Sequence, residues 1–577
     1  MALIRYIEVR NFRSIRNANW CPKPGLNCII GPGDSGKSTL LDAIDLVLGA
    51  RRSYPFSDAD FHLMDTSHPI EITVTIGDLD DCLKNLESYG HFLRGFNPLS
   101  HQIHDEKQND DETVLSLRLL VKEDLEPEWL LYSERATTEG IERRLPWKHR
   151  EILSPTRLGM TSQYHLAWGG RSVLNKLSES NFDVSSTLAQ ISRQTRSNFA
   201  AQPLPQLTDT LEQIRTIANT LGVPIGDLKA LLDVNGVSLT NGAISLHNED
   251  NTPLRLMGTG SSRLLISGLH KAASNSKIII VDEAEYGLEP YRISRLLHEL
   301  GSKESKPTRQ VFITTHSPYV LRELQAQQLH VLRKYEQKKS SELPSHLIFS
   351  LNGGDQEQAT LRACAEAFFS KAVIVGEGAT EVGLLRGLDL FFQSIPTLGF
   401  LSRGIFSADG GGGDNMFKRA ETFKSLGYPT ALLKDSDITC AAHQQQTQTC
   451  KEKGVSIFEW GNQLSTEGAI FNWCSIQTIP ILVDLAATLN GQQEVSQHIL
   501  NCSQNQHSLH DCTTTPVDSM RNSLALAASK YKWFKNIANA ELLAKDIIGP
   551  CYDRFSQPFQ AIINNLYTWA VESGDKR

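Results

Sequence analysis

Hydrophobic and polar positions alternate in short blocks through the first quarter of the chain. Residues 4–15 alternate as a half-buried strand does, and the apolar run 26–30 is short enough for a fully buried strand. Strand-like runs follow at 70–76, 114–121 and 129–132, separated by polar loops. The pattern predicts a β-meander beside the loop that follows the buried strand.

The periodicity becomes helical from about residue 175 to 235. Apolar residues there recur three or four positions apart, among them Leu207, Leu211 and Ile214. Such an amphipathic segment packs on a partner helix or on its own domain more often than on a ligand. We therefore expect a helical insertion, without the sustained heptads of a long coiled-coil arm.

A different unit recurs in the second half of the chain, where apolar runs end in acidic or glycine-rich residues. The run beginning at Lys371 is followed by Glu377 and Glu381, and residues 404–413 end in four glycines. A third run leads to Asp435 and Asp437. The carboxyl ends of parallel strands meet at one edge of an α/β sheet, so these tips are expected to converge. Hard oxygen ligands without His or Cys favour Mg²⁺ or Mn²⁺.

The loop after the buried strand has the spacing of a phosphate-binding loop, Gly-x-x-x-x-Gly-Lys-Ser, at residues 31–38. Its backbone N–H groups and the following helix N-terminus can converge on phosphate oxygens. Lys37 supplies a positive charge, and Ser38 is expected to bind Mg²⁺. The other ATP-binding candidates in this loop are Gly31, Gly33, Asp34, Ser35, Gly36 and Thr39.

An apolar run at residues 276–283 ends in two carboxylates. In nucleoside triphosphatases one acid at such a position holds Mg²⁺ and a second orients the attacking water. We expect Asp282 in the metal role and Glu283 in the catalytic role. A Gly-Ser loop at 256–263 precedes this run, and a strand ending at His316 follows it.

Length and composition limit the class of protein. The 577 residues exceed a single core, so two or three domains are expected. The apolar content of 40% and charged content of 21% are ordinary for a globular protein, and a net charge of −8 argues against a basic surface coat. The ten cysteines lack metal-binding spacing. No run reaches membrane-spanning length, so we expect a cytoplasmic protein with no membrane partner.

The order of these motifs resembles the ABC-type ATPase series of Walker A, signature loop, Walker B, D-loop and H-loop. With Asn11-Phe-Arg-Ser at the start, residues 1–335 are similar to the branch that contains SMC-type and OLD-type (overcoming lysogenization defect) ATPases. The resemblance implies a homodimer or higher homo-oligomer in which Gly258, Gly260 and Ser261 contact ATP held by the other protomer. It also implies that His316 senses the γ-phosphate.

The second half, with Gly-Glu-Gly-x-Thr-Glu followed by Asp-x-Asp, is similar to the Toprim domain. An ABC-type ATPase followed by Toprim is the architecture of the OLD family, which implies an ATP-linked, Mg²⁺- or Mn²⁺-dependent DNA endonuclease, often in anti-phage defence. The family pattern adds Glu467 as a metal ligand and Lys535 as a catalytic residue, with Lys532 the alternative. We expect Glu377, Asp435 and Asp437 to serve as both metal ligands and catalytic residues, and Glu381 as a ligand.

The resulting expectation is an α/β chain with three parts. Residues 1–340 form an ABC-type P-loop ATPase domain, whose 175–235 segment is a helical dimerisation insertion. Residues 341–369 are a linker, and residues 370–577 form a parallel-sheet Toprim domain. A helicase, or a retron reverse transcriptase with its DNA product, is a candidate partner beside DNA.

Two rival functions stay open at this point. The Toprim-like domain could be a non-cleaving scaffold in an ATP-driven DNA-binding or regulatory complex. It could also belong to a topoisomerase, although no tyrosine in a strand-passage domain is evident. The basic cluster at 143–150 could contact nucleic acid phosphates, but a solvated face is the favoured interpretation.

Overall fold

The computed structural model describes most of the chain outside the central segment. The ranges are 2–158, 253–273, 277–335, 345–393 and 399–574, with a few further positions between 159 and 252. The predicted helical dimerisation insertion at 175–235 therefore lies almost entirely outside the described residues. The chain forms two compact units, the first comprising Met1–Pro155, Lys277–Glu285 and Leu300–Arg577 and the second Thr156–Ser276 and Tyr286–Glu299.

Two sheets organise the first unit. The strands, in chain order, are β1 (Leu3–Phe12), β2 (Ile15–Trp20), β3 (Gly25–Ile30), β4 (Ile70–Gly77), β5 (Leu93–Phe96), β6 (Ile103–His104), β7 (Glu112–Val121), β8 (Pro127–Tyr132), β9 (Thr156–Leu158, in the second unit), β10 (Ile278–Val281), β11 (Gln310–Thr314), β12 (Leu329–Lys334), β13 (His346–Ser350), β14 (Ala372–Gly376), β15 (Ile405–Asp409), β16 (Thr430–Lys434) and β17 (Ser456–Glu459).

The first sheet is mixed. Its order in this unit is β6-β5-β7-β4-β1-β2-β13-β12-β3-β11-β10, with β8 paired to β7. The meander strands pair antiparallel, whereas β3 pairs parallel with both β11 and β12. Every residue of β3 is buried, which explains its unbroken apolar run. Strand β13 lies within residues predicted as linker and pairs with β12.

The prediction of one strand over residues 4–15 is wrong. Strand β1 ends at Phe12 and β2 begins at Ile15, with the two strands antiparallel. Between them Arg13 adopts a left-handed φ of 48°, and its guanidinium pairs with Asp42 and Asp60. These two ion pairs hold a tight turn that the alternating pattern does not signal.

The second sheet is fully parallel, in the order β15-β14-β16-β17. This order places the ends of β14 and β16 side by side at one edge. Helices and the polar segment after residue 492 complete a core that includes Trp460, Trp533 and Phe559. That segment forms two helices despite its weak pattern, because Val495, Ile499 and Cys512 are buried in this core.

The described helices belong to both units, with α5 and α6 in the second. They are α1 (Lys37–Leu48), α2 (Leu86–Tyr89), α3 (Glu134–Thr138), α4 (Trp147–Leu153), α5 (Thr259–Ala273), α6 (Pro290–Glu299), α7 (Pro318–Glu323), α8 (Asp355–Ala363), α9 (Ala379–Gln393), α10 (Asp414–Ser425), α11 (Ala441–Glu452), α12 (Thr466–Trp473), α13 (Ile479–Asn490), α14 (Gln492–Cys502), α15 (Leu509–Thr514), α16 (Arg521–Lys530), α17 (Ile537–Leu543) and α18 (Gln557–Gly574).

Among the helices in the described ranges, none combines the length and the hydropathy that a membrane span requires. Helix α12 and the segment Ile476–Asn490 meet the length and hydropathy required only together, as a pair bent by 118°.

Candidate ATPase and metal centres

The predicted phosphate-binding loop connects β3 to α1. Gly36 takes a left-handed φ of 91° directly before the helix, a conformation that glycine adopts without strain. Lys37 is 7% exposed, and its Nζ donates to the carbonyl oxygens of Gly31 at 3.2 Å and Pro32 at 3.0 Å. The ammonium group thus lies over the loop where phosphates are expected.

The two carboxylates predicted to serve this loop lie beside it. Ser38 Oγ lies 3.3 Å from Asp282 Oδ1, so the two expected Mg²⁺ ligands are adjacent. Burial lowers the pKa of Lys37, and the nearby carboxylates of Asp282 and Glu283 act in the opposite direction. The structure therefore brings Lys37, Ser38, Asp282 and Glu283 into one site.

Thr314 at the end of β11 organises the acidic pair, and sequence reasoning missed it. Its hydroxyl donates to Asp282 Oδ1 and accepts from the backbone N–H of Glu283 at 2.9 Å. Glu283 itself has a left-handed φ of 48°, which reverses the chain immediately after the strand. Such a conformation is costly for a residue with a side chain, and strained residues of this kind recur at functional sites.

The predicted γ-phosphate sensor lies in the same unit. The backbone N–H of His316 donates to Glu285 at 2.7 Å, and the hydroxyl of Thr315 donates to the other oxygen of that carboxylate at 2.6 Å. The imidazole ring faces Phe369, with ring centroids 6.4 Å apart. Glu285 therefore positions the histidine loop, a role that the sequence did not signal.

The signature-loop candidates lie in the second unit. Gly258 precedes α5, and Gly260 lies in its first turn, where a Cβ atom would come within 2.5 Å of the carbonyl oxygen of Gly287. Ser261 accepts a hydrogen bond from Arg292 at 3.0 Å. Close packing of two glycine-containing loops thus explains Gly260, and Arg292 orients Ser261.

The acidic candidates of the second half gather at one edge of the parallel sheet. Glu377 follows β14 and accepts the backbone N–H of Asp435 at 2.8 Å. Glu381, in the first turn of α9, accepts the N–H of Gly378 at 2.8 Å. Glu467, in the first turn of α12, accepts a hydrogen bond from Thr380 at 3.2 Å. Contacts across β14 and β16 therefore assemble the predicted site.

The pKa values of these carboxyl groups show that they are buried and act on one another. Burial, followed by the carboxylates of Glu381 and Glu377, raises the pKa of Asp435 to about 9. Glu467 and Asp437 act on Asp435 in the same direction. Burial is also the main cause that raises the pKa of Glu377 and of Glu467. All five predicted acidic ligands thus share one electrostatic environment.

Lysines supply positive charge at this cluster. The charge of Lys535 opposes the rise in the pKa of Glu467, so the predicted catalytic lysine acts electrostatically on one of the acids. Lys434, which sequence reasoning missed, is 3% exposed and donates to the Asp435 carbonyl at 2.7 Å and to Glu459 at 3.1 Å. Its position in a buried strand, one residue before Asp435, is the only signal that could have identified it.

The acidic cluster fits a divalent cation by its chemistry. In the described part of the chain, no group of three or more His, Cys, Asp and Glu side chains is arranged to hold a metal ion directly. The carboxylates instead accept hydrogen bonds from N–H and O–H donors, while burial and then repulsion by the neighbouring carboxylates raise the pKa of Asp435. Hard oxygen donors in such a crowded, partly buried set favour Mg²⁺ or Mn²⁺.

The basic cluster at 143–150 contains both buried and exposed side chains. Arg150 is buried, donates to the carbonyl oxygen of Gly49 at 2.8 Å and lies 5.0 Å from the Trp129 ring centroid. It therefore serves the fold, whereas Arg144 and Lys148 are exposed.

The raised pKa of Asp435 predicts that metal binding depends on pH. The folded, metal-free protein retains the Asp435 proton until the pH approaches about 9, so a cation must displace that proton at lower pH. Release of one proton makes the apparent Mn²⁺ affinity rise about tenfold per pH unit. Titrations of nucleotide-free protein at pH 6, 7 and 8 measure this slope. Asp435→Asn should bind weakly with a flatter slope, and a pH-independent wild-type affinity would contradict the assignment.

Two family profiles match the chain in sequence. One, described as "AAA domain, putative AbiEii toxin, Type IV TA system", matches residues 26–322, about half of the chain. The other, "Overcoming lysogenization defect protein-like, TOPRIM domain", matches residues 368–437. The second match contains Glu377, Glu381, Asp435 and Asp437. The fold class predicted from the sequence, an α/β ATPase followed by a Toprim domain, is confirmed.

The individual proteins that match this chain either share only a short segment with it or have low sequence identity. An "OLD nuclease" from Thermus scotoductus is 41% identical over 76 residues, which cover 12% of this chain and only 14% of that protein. An Smc head bound to the C-terminal winged-helix domain of ScpA is 15% identical over 60% of this chain and 98% of that one, with a TM-score of 0.31. An Smc head with an extended coiled coil bound to the ScpA C-terminal domain, from Pyrococcus furiosus, is 12% identical over 61% and 97%, with a TM-score of 0.32. From the first match, the chain belongs to the family of that AAA-domain profile, and from the second it carries a segment similar to the OLD-like Toprim domain at residues 368–437.

Proposed function

We propose that this protein is an ATP-binding and ATP-hydrolysing, divalent-metal-dependent DNA endonuclease that acts in anti-phage defence. The observation that carries the nuclease assignment is the convergence of five carboxylates at one edge of the parallel sheet. The proposed division of the chain is an ATPase domain at 1–340, a linker at 341–369 and a Toprim domain at 370–577. The OLD nuclease from Thermus scotoductus supports the reaction class through its name.

In the nuclease centre, Glu377, Glu381, Asp435, Asp437 and Glu467 would hold Mg²⁺ or Mn²⁺. Bound divalent metal supplies an activated water and charge stabilisation for the leaving oxygen of a phosphodiester. Lys535 would stabilise negative charge beside Glu467, a role supported by the electrostatic effect of its charge on that carboxylate. Lys434 holds the Asp435 backbone through its carbonyl oxygen.

In the ATPase centre, Lys37 would move from the loop carbonyls to the nucleotide phosphates. Ser38 and Asp282 would share one Mg²⁺, and Glu283 would orient the attacking water. Thr314 keeps the two acids in different orientations, since its hydroxyl is bonded to the Asp282 side chain and to the Glu283 backbone.

We infer a homodimer, because ABC-type hydrolysis uses a signature loop from the other protomer. Gly258 is exposed, and a Cβ atom added to it would meet no atom within 4 Å. This leaves the backbone before α5 open to an approaching phosphate group. A helicase or a retron reverse transcriptase is a candidate further partner.

The contacts between the ATPase sheet and the Toprim sheet support coupling of the two centres. His316 faces Phe369, which lies three residues before β14 and eight before Glu377. Two residues after His316 begins α7, whose Arg322 forms an ion pair with Glu366. Movement of the histidine loop on ATP binding would therefore act on the segment that leads into the nuclease strand.

Removal of one metal ligand tests the nuclease assignment. Asp435→Asn retains the side-chain volume but weakens metal binding, and loss of an essential group commonly lowers a rate by 10²-fold or more. We expect plasmid nicking or linearisation with Mg²⁺ or Mn²⁺ to fall by about that factor while ATP hydrolysis persists. Asp518→Asn, an exposed acid of the same half, is the matched control.

The same plasmid assay separates the rival functions. Wild-type cleavage by Asp435→Asn would contradict the proposed centre. A wild-type protein that leaves the plasmid unchanged would favour the non-cleaving scaffold, and relaxed closed circles would favour a topoisomerase.

The phosphate-binding loop is tested by Lys37→Ala. The substitution removes the positive charge that lies over the loop carbonyls and should reduce ATP affinity or turnover by at least about tenfold. Binding of a fluorescent ATP analogue and phosphate release measure the two effects. Unchanged binding and turnover would show that nucleotide binds elsewhere.

Coupling is tested by Glu283→Gln, which should bind ATP without hydrolysing it. A coupling free energy of about 1–3 kcal/mol would change nuclease activity roughly 5- to 150-fold. We expect lower cleavage with ATP, since a nuclease that attacks host DNA requires restraint while nucleotide is abundant, and wild-type cleavage without ATP. The measurement is plasmid cleavage across an ATP titration at constant free Mg²⁺.

Phe369→Ala provides the matched variant for that titration. It removes the ring that faces His316 but none of the proposed ligands, so cleavage should become insensitive to ATP. Flat, superimposable curves for wild type and Glu283→Gln would show that the ATPase does not gate the nuclease.

A further inference from the structure

Thr466 lies at the centre of the acidic cluster, although its type and position gave no sign of a role. It is completely buried at the start of α12. Its hydroxyl oxygen lies 2.6 Å from Glu381 Oε1 and 3.0 Å from Asp435 Oδ1. Its backbone N–H donates to the same Asp435 oxygen at 2.9 Å. One residue thus contacts two of the proposed metal ligands.

The donors and acceptors around the Thr466 hydroxyl determine which contact receives its proton. A threonine hydroxyl has one proton to donate and can accept through its lone pairs. The indole N–H of Trp460 donates to it at 2.7 Å, so the hydroxyl proton is free for a carboxylate. Asp435 already receives the backbone N–H, and the shorter contact to Glu381 therefore takes the hydroxyl proton.

Helix capping does not explain this hydroxyl. The preceding residue, Ser465, is the N-cap of α12, and its side chain accepts the N–H of Gly468 at 3.1 Å. The Thr466 hydroxyl is directed instead to Glu381, which belongs to α9 and is 85 residues away. Its contacts therefore serve the cluster and not the local helix.

The indole ring that donates to the Thr466 hydroxyl is held in place by core packing. Trp460 is completely buried and stacks on Phe559 of α18, with centroids 5.2 Å apart and ring planes within 10°. The indole N–H is thereby fixed, and it fixes the direction in which Thr466 donates. The aromatic core of the second half thus determines the orientation of a carboxylate at the sheet edge.

We propose that Thr466 is a positioning residue for the metal centre, whose hydroxyl orients Glu381 while its backbone N–H orients Asp435. It sets the spacing of two ligands that come from different elements, α9 and the end of β16. Groups that hydrogen-bond to metal ligands typically contribute 10- to 100-fold to metal affinity or activity. The inference rests on the nuclease function proposed above.

Thr466→Val tests the proposal because it retains the shape and the backbone N–H but removes the hydroxyl. We expect full-length, nucleotide-free Thr466→Val to bind Mn²⁺ about 10- to 100-fold more weakly than wild type, as measured by electron paramagnetic resonance of free Mn²⁺. Thr466→Ser restores the hydroxyl and should bind within about threefold of wild type. Thr478→Val, which removes an equally buried hydroxyl paired with Ser475, is the control.

Cleavage kinetics separate positioning from general damage to the fold. The Mn²⁺ concentration for half-maximal cleavage should rise in Thr466→Val by the same factor as the dissociation constant, and saturating Mn²⁺ should restore most of the rate. A structural defect would lower the saturated rate without moving that concentration. If Thr466→Val does not fold, Thr466→Cys, with a much weaker donor of similar size, must show the same shift.

Asp435→Asn distinguishes this inference from the proposed function. Wild-type Mn²⁺ affinity in Thr466→Val, together with lost affinity in Asp435→Asn, would overturn the role of Thr466 and leave the metal centre intact. Retained affinity in both variants would overturn the metal centre itself.

Discussion

Mutual repulsion among carboxylates confined to one sheet edge is the constraint on which the second half of this protein depends. Asp435 retains its proton to about pH 9 because burial and four neighbouring acids oppose its ionisation. A fold that only needed stability would gain by replacing such a cluster with apolar residues. The hydroxyls of Thr466 and Thr380 donate to Glu381 and Glu467, and Lys434 donates to the backbone carbonyl oxygen of Asp435, so these donors hold the acidic residues in place.

In the ATPase half, acidic residues also gather at the carboxyl ends of parallel strands. Asp282 and Glu283 follow β10, Thr314 ends β11, and the phosphate-binding loop follows β3. Parallel strands direct their carboxyl ends to one edge, so side chains distant in sequence meet there. The antiparallel meander contributes packing for α1, and none of the proposed catalytic residues lies on it.

The sequence located a candidate residue where that residue is adjacent to the strand that carries it. Lys37, Asp282 and Asp435 were predicted because the residue and its structural context occupy one short window. Thr314 and Thr466 were not predicted, since their partners are 32 and 85 residues away and threonine is common in strands and helix starts. The turn at Arg13 was missed because ion pairs to distant acids fix it.

Direct location of the metal tests the central claim that the acidic edge is a cation site. Crystals grown with Mn²⁺ and without nucleotide would show anomalous scattering at the position of the ion. The account predicts a Mn²⁺ peak bounded by Glu377, Glu381 and Asp435, and loss of that peak in Asp435→Asn. A peak at other residues, or no peak at Mn²⁺ concentrations that support DNA cleavage, would contradict it.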